Sequence, residues 1–154
     1  MFEHYRERVT GTNIDPRSLL STDYFNAFNT VIMLFGMLPE APELLDEIDE
    51  WKFLTYTEHF KESGLDFAPL AIEAYGFVPT NLKAQFEVKI EIMRMFAEES
   101  RVKLRKFLND GNMGMFGEMA VQTSRELQKM ADAGAAIVHG HDATLDQGAI
   151  DKLF

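Results

Sequence analysis

The chain contains no cysteine, only one tryptophan and five prolines among its 154 residues. Without cysteine there is no disulfide, no thiolate nucleophile and no cysteine-ligated metal site. Basic residues are also few, because 15 lysines and arginines stand against 25 aspartates and glutamates, which gives a net charge of −10. A chain this acidic is repelled by phosphate backbones and by anionic lipids. The composition therefore argues against binding to nucleic acid and to membrane surfaces.

Long hydrophobic runs are absent as well. The longest, residues 31–38, contains Gly36 and is far shorter than the roughly 20 residues that cross a bilayer. The first residues have no apolar signal-peptide core, so we expect a cytoplasmic protein. What the chain has in excess is phenylalanine (13 residues) and methionine (nine residues). These side chains most often fill the space between helices in a core, and less often line an adaptable binding groove.

Apolar residues recur at helical spacing along most of the chain. We predict helices over residues 16–38, 43–51, 52–63, 67–77, 81–109 and 113–138. In the 81–109 helix an inward seam recurs every three or four residues at Phe86, Ile90, Met93, Ala97, Ser100, Leu104 and Phe107. A second strip on that helix predicts contact with a further neighbour and comprises Val88, Ile92, Met95, Phe96 and Val102.

These patterns indicate an all-α fold, since no run of alternating apolar residues demands a sheet. We expect an irregular four-helix-type bundle with a long C-terminal αα-hairpin, short capping helices and a short tail helix. Residues 1–138 would form the bundle, and residues 139–154 a linker and a C-terminal interaction peptide.

The motifs of common catalytic and metal chemistry are missing. The sequence has no glycine-rich phosphate loop, no HExxH and no strand-anchored GxGxxG. A ferritin-like di-iron site needs Glu-x-x-His on two bundle helices, whereas neither long helix carries a histidine before His139. His139 and His141 supply at most two ligands, and nine acidic residues between positions 38 and 66 lack calcium-loop spacing, which favours a solvated face. We therefore predict no cofactor and no bound metal.

One weak catalytic candidate is the pair Glu118 and Gln122, which stand one helical turn apart on the same face. An amide and an acid so placed can orient a water toward an aspartyl-phosphate. Gln122 would position the water and Glu118 would hold a lysine of the partner. Because such pairs arise by chance on most helices, we favour a non-enzymatic protein.

The last ten residues form a short amphipathic segment. At helical spacing its apolar side chains fall on one side of about two and a half turns, and they are Leu145, Ala149, Ile150, Leu153 and Phe154. An isolated helix this short is marginal in water and gains order by docking. It can dock on its own bundle, or in the groove of another protein.

The spacing Leu145-x-Gln147-x-x-Ile150-Asp151-x-Leu153 resembles the short response-regulator-binding peptide of bacterial chemotaxis. That peptide stands at the N-terminus of the flagellar switch protein FliM and at the C-terminus of the phosphatase CheZ, where a long helical hairpin precedes it. The resemblance covers ten of the 154 residues. It implies that a CheY-like receiver domain is contacted by Leu145, Gln147, Ile150, Asp151, Leu153 and Phe154.

The segment departs from the family pattern at Asp146, where a serine usually stands beside the glutamine. The Asp-Phe-Gln-Asp run of the phosphatase is also absent, and only the acid-x-x-x-Gln spacing of Glu118 and Gln122 is left. Our first hypothesis is thus a signalling or adaptor protein of chemotaxis or motility type. The alternatives are a receiver aspartyl-phosphate phosphatase that uses this pair, and a structural oligomerisation bundle. The sequence leaves open whether the chain forms a homodimer.

Overall fold

The computed structural model describes residues 1–140 of the chain. Seven α-helices follow one another in this part: α1 Phe2–Arg8, α2 Asn26–Met37, α3 Leu45–Glu50, α4 Tyr56–Ser63, α5 Ala68–Tyr75, α6 Thr80–Asn109 and α7 Met113–Val138. Short 3-10 helices, Thr22–Phe25 and Pro42–Leu44, precede α2 and α3. The β pairing within residues 1–140 is a single isolated bridge between Ile14 and Ser21. The prediction of an all-α fold is confirmed.

The described residues form two compact units. The first contains residues 1–24, 55–88 and 132–140, and the second contains residues 25–54 and 89–131. The long helices α6 and α7 each contribute residues to both units.

The first unit is built around an aromatic cluster. The ring of Tyr56 stacks on Tyr75 with centroids 4.6 Å apart and meets the ring of Phe86 at 5.6 Å. Tyr24 lies 5.6 Å from Tyr56, and its side chain is fully buried. The Tyr56 hydroxyl also accepts a 2.9 Å hydrogen bond from the buried backbone N–H of Ser21. Large aromatic surfaces thus contribute to the apolar burial here.

The ends of α4 are fixed by local sequence. Thr55 and Glu58 form a capping box, in which each side chain accepts a hydrogen bond from the other residue's backbone N–H. At the other end Gly64 adopts the left-handed conformation with φ 68°, as its C-cap role predicts. The helix predicted over residues 52–63 therefore begins four residues later, at Tyr56.

The segment before α2 does not follow the prediction. A helix was expected over residues 16–38, but α2 begins only at Asn26. Leu19 has a φ of 67°, and its N–H donates to the carbonyl of Asp15 at 2.7 Å, so the backbone turns there. Leu19 and Leu20 are fully buried by this turn, which satisfies the apolar spacing without a helix. Conversely, α1 forms where no helix was predicted, and it buries Tyr5 against the ring of Phe77, with centroids 4.7 Å apart.

In the second unit α2 packs closely on α7. The Ser124 hydroxyl donates to the carbonyl of Ile32 at 2.9 Å. Gly36 makes this approach feasible, since a Cβ at that position would lie 3.1 Å from the Ser124 oxygen. The side chain of Phe28 is buried in this unit, and the ring of Trp51 lies 5.5 Å from it.

The inward seam of α6 is confirmed from Phe86 to Leu104, whose seam residues are all at most 7% exposed. The second strip was expected to touch another neighbour, and this prediction is wrong for most of its members. Val88, Ile92, Met95 and Val102 are between 45% and 59% exposed.

The acidic residues of α3 were expected to form a solvated face, but two of them pair with arginines of α6. Asp49 accepts hydrogen bonds from Arg101, at 2.9 Å, and from Arg105, while Asp46 accepts from Arg105 at 2.8 Å. Burial alone would raise the pKa of Asp49, but these guanidinium groups outweigh it and lower that pKa. The six residues of α3 are thereby fastened to α6 within the second unit.

Candidate functional site

Helix α7 begins with a side-chain cap. The Asn112 side-chain oxygen accepts from the N–H of Met115 at 3.3 Å, as an N-cap residue does. Gly111 precedes it, has a φ of 72° and is the middle residue of the three-residue link between α6 and α7. The cap fixes the first turn of α7, whose outward side chains line a groove of the second unit.

This groove is open and has a volume of about 930 Å³. Its apolar walls come from α6, from α7 and from the turn after α2, and they are Pro39, Phe107, Met115, Met119 and Val121. Gly117 lies beside Pro39, and a Cβ at this position would meet the proline ring at an ordinary contact distance of 3.8 Å. Of these side chains, Met115 and Met119 are flexible and adaptable, which suits a groove that receives an apolar surface.

Two cations, Lys103 and Arg125, also line the groove. The other six arginines of the chain all form ion pairs within residues 1–140. Arg125 forms neither an ion pair nor a hydrogen bond with any described residue, and the same is true of Lys103. The groove thus presents two positive charges without an ion-pair partner, beside the single carboxylate of Glu118, in a chain whose net charge is −10.

Glu118 and Gln122 both line this groove, so the structure brings the two predicted catalytic candidates to one surface. Both side chains are exposed. The Gln122 amide, however, donates to Glu126 at 3.0 Å, and Lys129 lies 3.4 Å from the same carboxylate oxygen. In this arrangement Glu126, one turn further along α7, holds the amide that would have to orient a water.

A second polar site lies in the first unit, where the end of α7 meets the turn after α1. Asp15 accepts bonds from the backbone and side chain of Arg17, at 2.8–3.0 Å, and lies 2.9 Å from His139 Nδ1. Burial of Asp15 would raise the pKa of its carboxyl, but these hydrogen bonds outweigh it and hold the pKa well below its usual range. Ser18 donates to the carbonyl of Val138, which ends α7. These contacts fasten the helix terminus.

The histidines do not form a metal site in the part of the chain that the structure describes. No group of three or more potential ligands occurs among residues 1–140. His59 packs edge-on against Tyr24 at 5.5 Å and Phe60 at 4.9 Å, and burial lowers its pKa. His139 contacts Asp15, and its proposed companion His141 lies outside the described residues.

The predicted partner-binding residues also lie outside the described part, which ends at residue 140. They are Leu145, Gln147, Ile150, Asp151, Leu153 and Phe154. What the structure adds is the unpaired Arg125 in an apolar groove. Sequence spacing places Glu118, Gln122 and Arg125 on one face of α7, but only the three-dimensional contacts show that Arg125 forms no ion pair with a described residue.

None of the helices in residues 1–140 combines the length and apolar character that a bilayer crossing requires. Comparisons with models of protein families, with curated proteins and with solved structures give no match to this chain.

Proposed function

We propose that the protein is a helical signalling adaptor that binds a CheY-like receiver domain through residues 145–154. The observation that carries the proposal is the spacing Leu145-x-Gln147-x-x-Ile150-Asp151-x-Leu153. In this proposal the segment docks as an amphipathic helix, with Ile150 and Leu153 as its apolar anchors. A receiver partner of this kind makes the protein a cytoplasmic one.

The way α7 ends supports the proposal. Gly140 has a φ of 85°, and its N–H donates to the carbonyl of Ile137 at 2.9 Å, so the regular helix stops before the segment. A Cβ at Gly140 would lie 3.2 Å from the Arg17 side chain, which favours glycine at this close approach. Together with the Ser18 and His139 contacts, this termination gives the peptide a fixed point of attachment.

The test titrates the full chain into CheY-like receiver domains by calorimetry, with and without beryllofluoride as the phosphoryl mimic. We expect binding that the mimic strengthens. The variant Ile150→Ala/Leu153→Ala should weaken binding by at least about tenfold, because two buried aliphatic side chains are truncated. The matched control is Lys152→Ala, which removes a side chain between the two anchors and should change the affinity little. Equal binding by the wild type and the double variant would contradict the proposal.

Receiver dephosphorylation is the second candidate, favoured by the single fact that Glu118 and Gln122 line one groove. It requires Gln122 to leave Glu126 and turn toward the aspartyl-phosphate. If this function is correct, Gln122→Ala should slow dephosphorylation of a receiver domain by about a hundredfold, as loss of one positioned catalytic group does. An unchanged rate would dispose of this candidate and leave the adaptor proposal intact.

A further inference from the structure

The groove along α7 has an unusual combination of surfaces. Met115 and Met119 form apolar walls, yet Arg125 and Lys103 lie among them without an acidic partner in the described chain. A guanidinium group has a planar fork of donors that matches a carboxylate in a two-point contact. The complementary surface is therefore apolar with a carboxylate inside the apolar area. An ordinary amphipathic helix, whose acids lie on the opposite face, does not fit this description.

The chain itself contains a segment of the required kind. On a helical wheel, where successive residues are 100° apart, Leu145 and Phe154 lie at the two ends of a 180° arc. Ile150 and Leu153 lie within the same arc. Asp146 falls in the middle of this arc, 20° from Leu153 and 40° from Ile150. This is also the position where the segment departs from the chemotaxis peptide, which usually has a serine there.

We propose that the groove binds residues 145–154 of the chain, and that Asp146 pairs with Arg125. Leu145, Ile150 and Leu153 lie on the apolar walls, and Lys103 adds a second favourable charge. The attraction between Asp146 and Arg125 is selective, because the net charge of −10 makes the chain as a whole repel a further carboxylate.

The docking has a regulatory consequence, which rests on the proposed function. The same apolar side chains cannot occupy the groove and a receiver domain at once, so the groove competes with the receiver. If the segment is docked nine-tenths of the time, the apparent affinity for the receiver falls about tenfold. Arg125→Asp should then raise the affinity of the full chain for the receiver by that factor. A free synthetic peptide 143–154 has no groove that competes with the receiver, so it should bind the receiver as well as the Arg125→Asp chain does.

The direct test is methyl NMR of the full chain labelled at its nine methionines. Met115 and Met119 report the groove, and Met33, at 57% exposure on α2, serves as a reference outside it. Spectra of the wild type are compared with those of Arg125→Asp, Asp146→Arg and the double variant. The matched control is Lys129→Asp, an equivalent charge reversal on α7 at a residue that does not line the groove.

We expect each single reversal to shift the Met115 and Met119 signals toward those of an undocked variant, Ile150→Asp/Leu153→Asp. Combining the two reversals should restore the wild-type positions, while Lys129→Asp leaves them unchanged. Docking should weaken by about tenfold or more in each single variant. Groove signals that do not respond to Ile150→Asp/Leu153→Asp would overturn the proposal, as would a double variant that shows no recovery. This readout involves no receiver domain, so its failure is distinct from a failure of the proposed function.

Discussion

The hydroxyl of Tyr56 offers a sharp test of how the first unit is held together. It accepts the backbone N–H of Ser21 at 2.9 Å, and both residues are at most 3% exposed. Ser21 lies at the end of the turn that replaces the expected helix, next to its bridge with Ile14. Tyr56→Phe keeps the ring and its stacking and removes only the acceptor.

The expected cost follows from the burial of the donor. A buried N–H that loses its partner retains its full desolvation penalty, about 1–3 kcal/mol. For a chain of this size each kcal/mol shifts Tm by about 2–4 °C. We therefore expect Tyr56→Phe to lower Tm by roughly 2–12 °C.

The matched control is Tyr75→Phe, the same change on the ring that stacks against Tyr56. The Tyr75 hydroxyl donates to Glu87 at 2.6 Å, but that carboxylate is exposed and can turn to water. Loss of this hydrogen bond should lower the free energy of unfolding by less than about 1 kcal/mol. Thermal and urea unfolding would measure both variants. Equal costs for the two substitutions would refute the reasoning from the buried Ser21 donor.

Two further substitutions test other contacts. Asp15→Asn removes a carboxylate whose lowered pKa gives stability that is fully present above its unfolded-state pKa of about 4 and declines as the pH falls below it. The variant should lose about 1–2 kcal/mol at pH 7, and its deficit in urea unfolding should shrink as the pH falls toward 2; a deficit independent of pH contradicts this. Gly117→Ala should stabilise α7 by about 0.5–1 kcal/mol, because its Cβ has an ordinary contact distance of 3.8 Å. Gly36→Ala should lack that gain, since its Cβ would lie 3.1 Å from Ser124, and an equal gain in Tm at both glycines would count against this close approach.

The two long helices were the most predictable part of the fold. In α6 the residues from Phe86 to Leu104 repeat at three and four positions, and a seam that long has no good alternative to a helix. The predicted span of 113–138 likewise coincides with α7. The segment before Asn26 was not predictable in this way. Its leucines satisfy the helical pattern, but Leu19 adopts a positive φ that no local signal announces, and tertiary burial decides the outcome.

The candidate site was predictable only in part. Helical spacing alone placed Glu118 and Gln122 on one face, and both do line the groove. The partner of the Gln122 amide is Glu126, a choice between two carboxylates that lie one turn away on either side. Periodicity cannot make that choice, because both positions satisfy it equally. The partnerless state of Arg125 depends on residues distant in sequence and was likewise invisible.

The placement of the aromatic residues separates the two units optically. All four tyrosines, Tyr5, Tyr24, Tyr56 and Tyr75, belong to the first unit, and the sole tryptophan, Trp51, belongs to the second. Tryptophan emission excited at long wavelength therefore follows the second unit, while tyrosine absorbance follows the first. Unfolding curves recorded by the two signals coincide if the chain melts in one cooperative step, and they diverge if one unit melts first. The native sequence thus carries its own pair of reporters, and no label is needed to count its transitions.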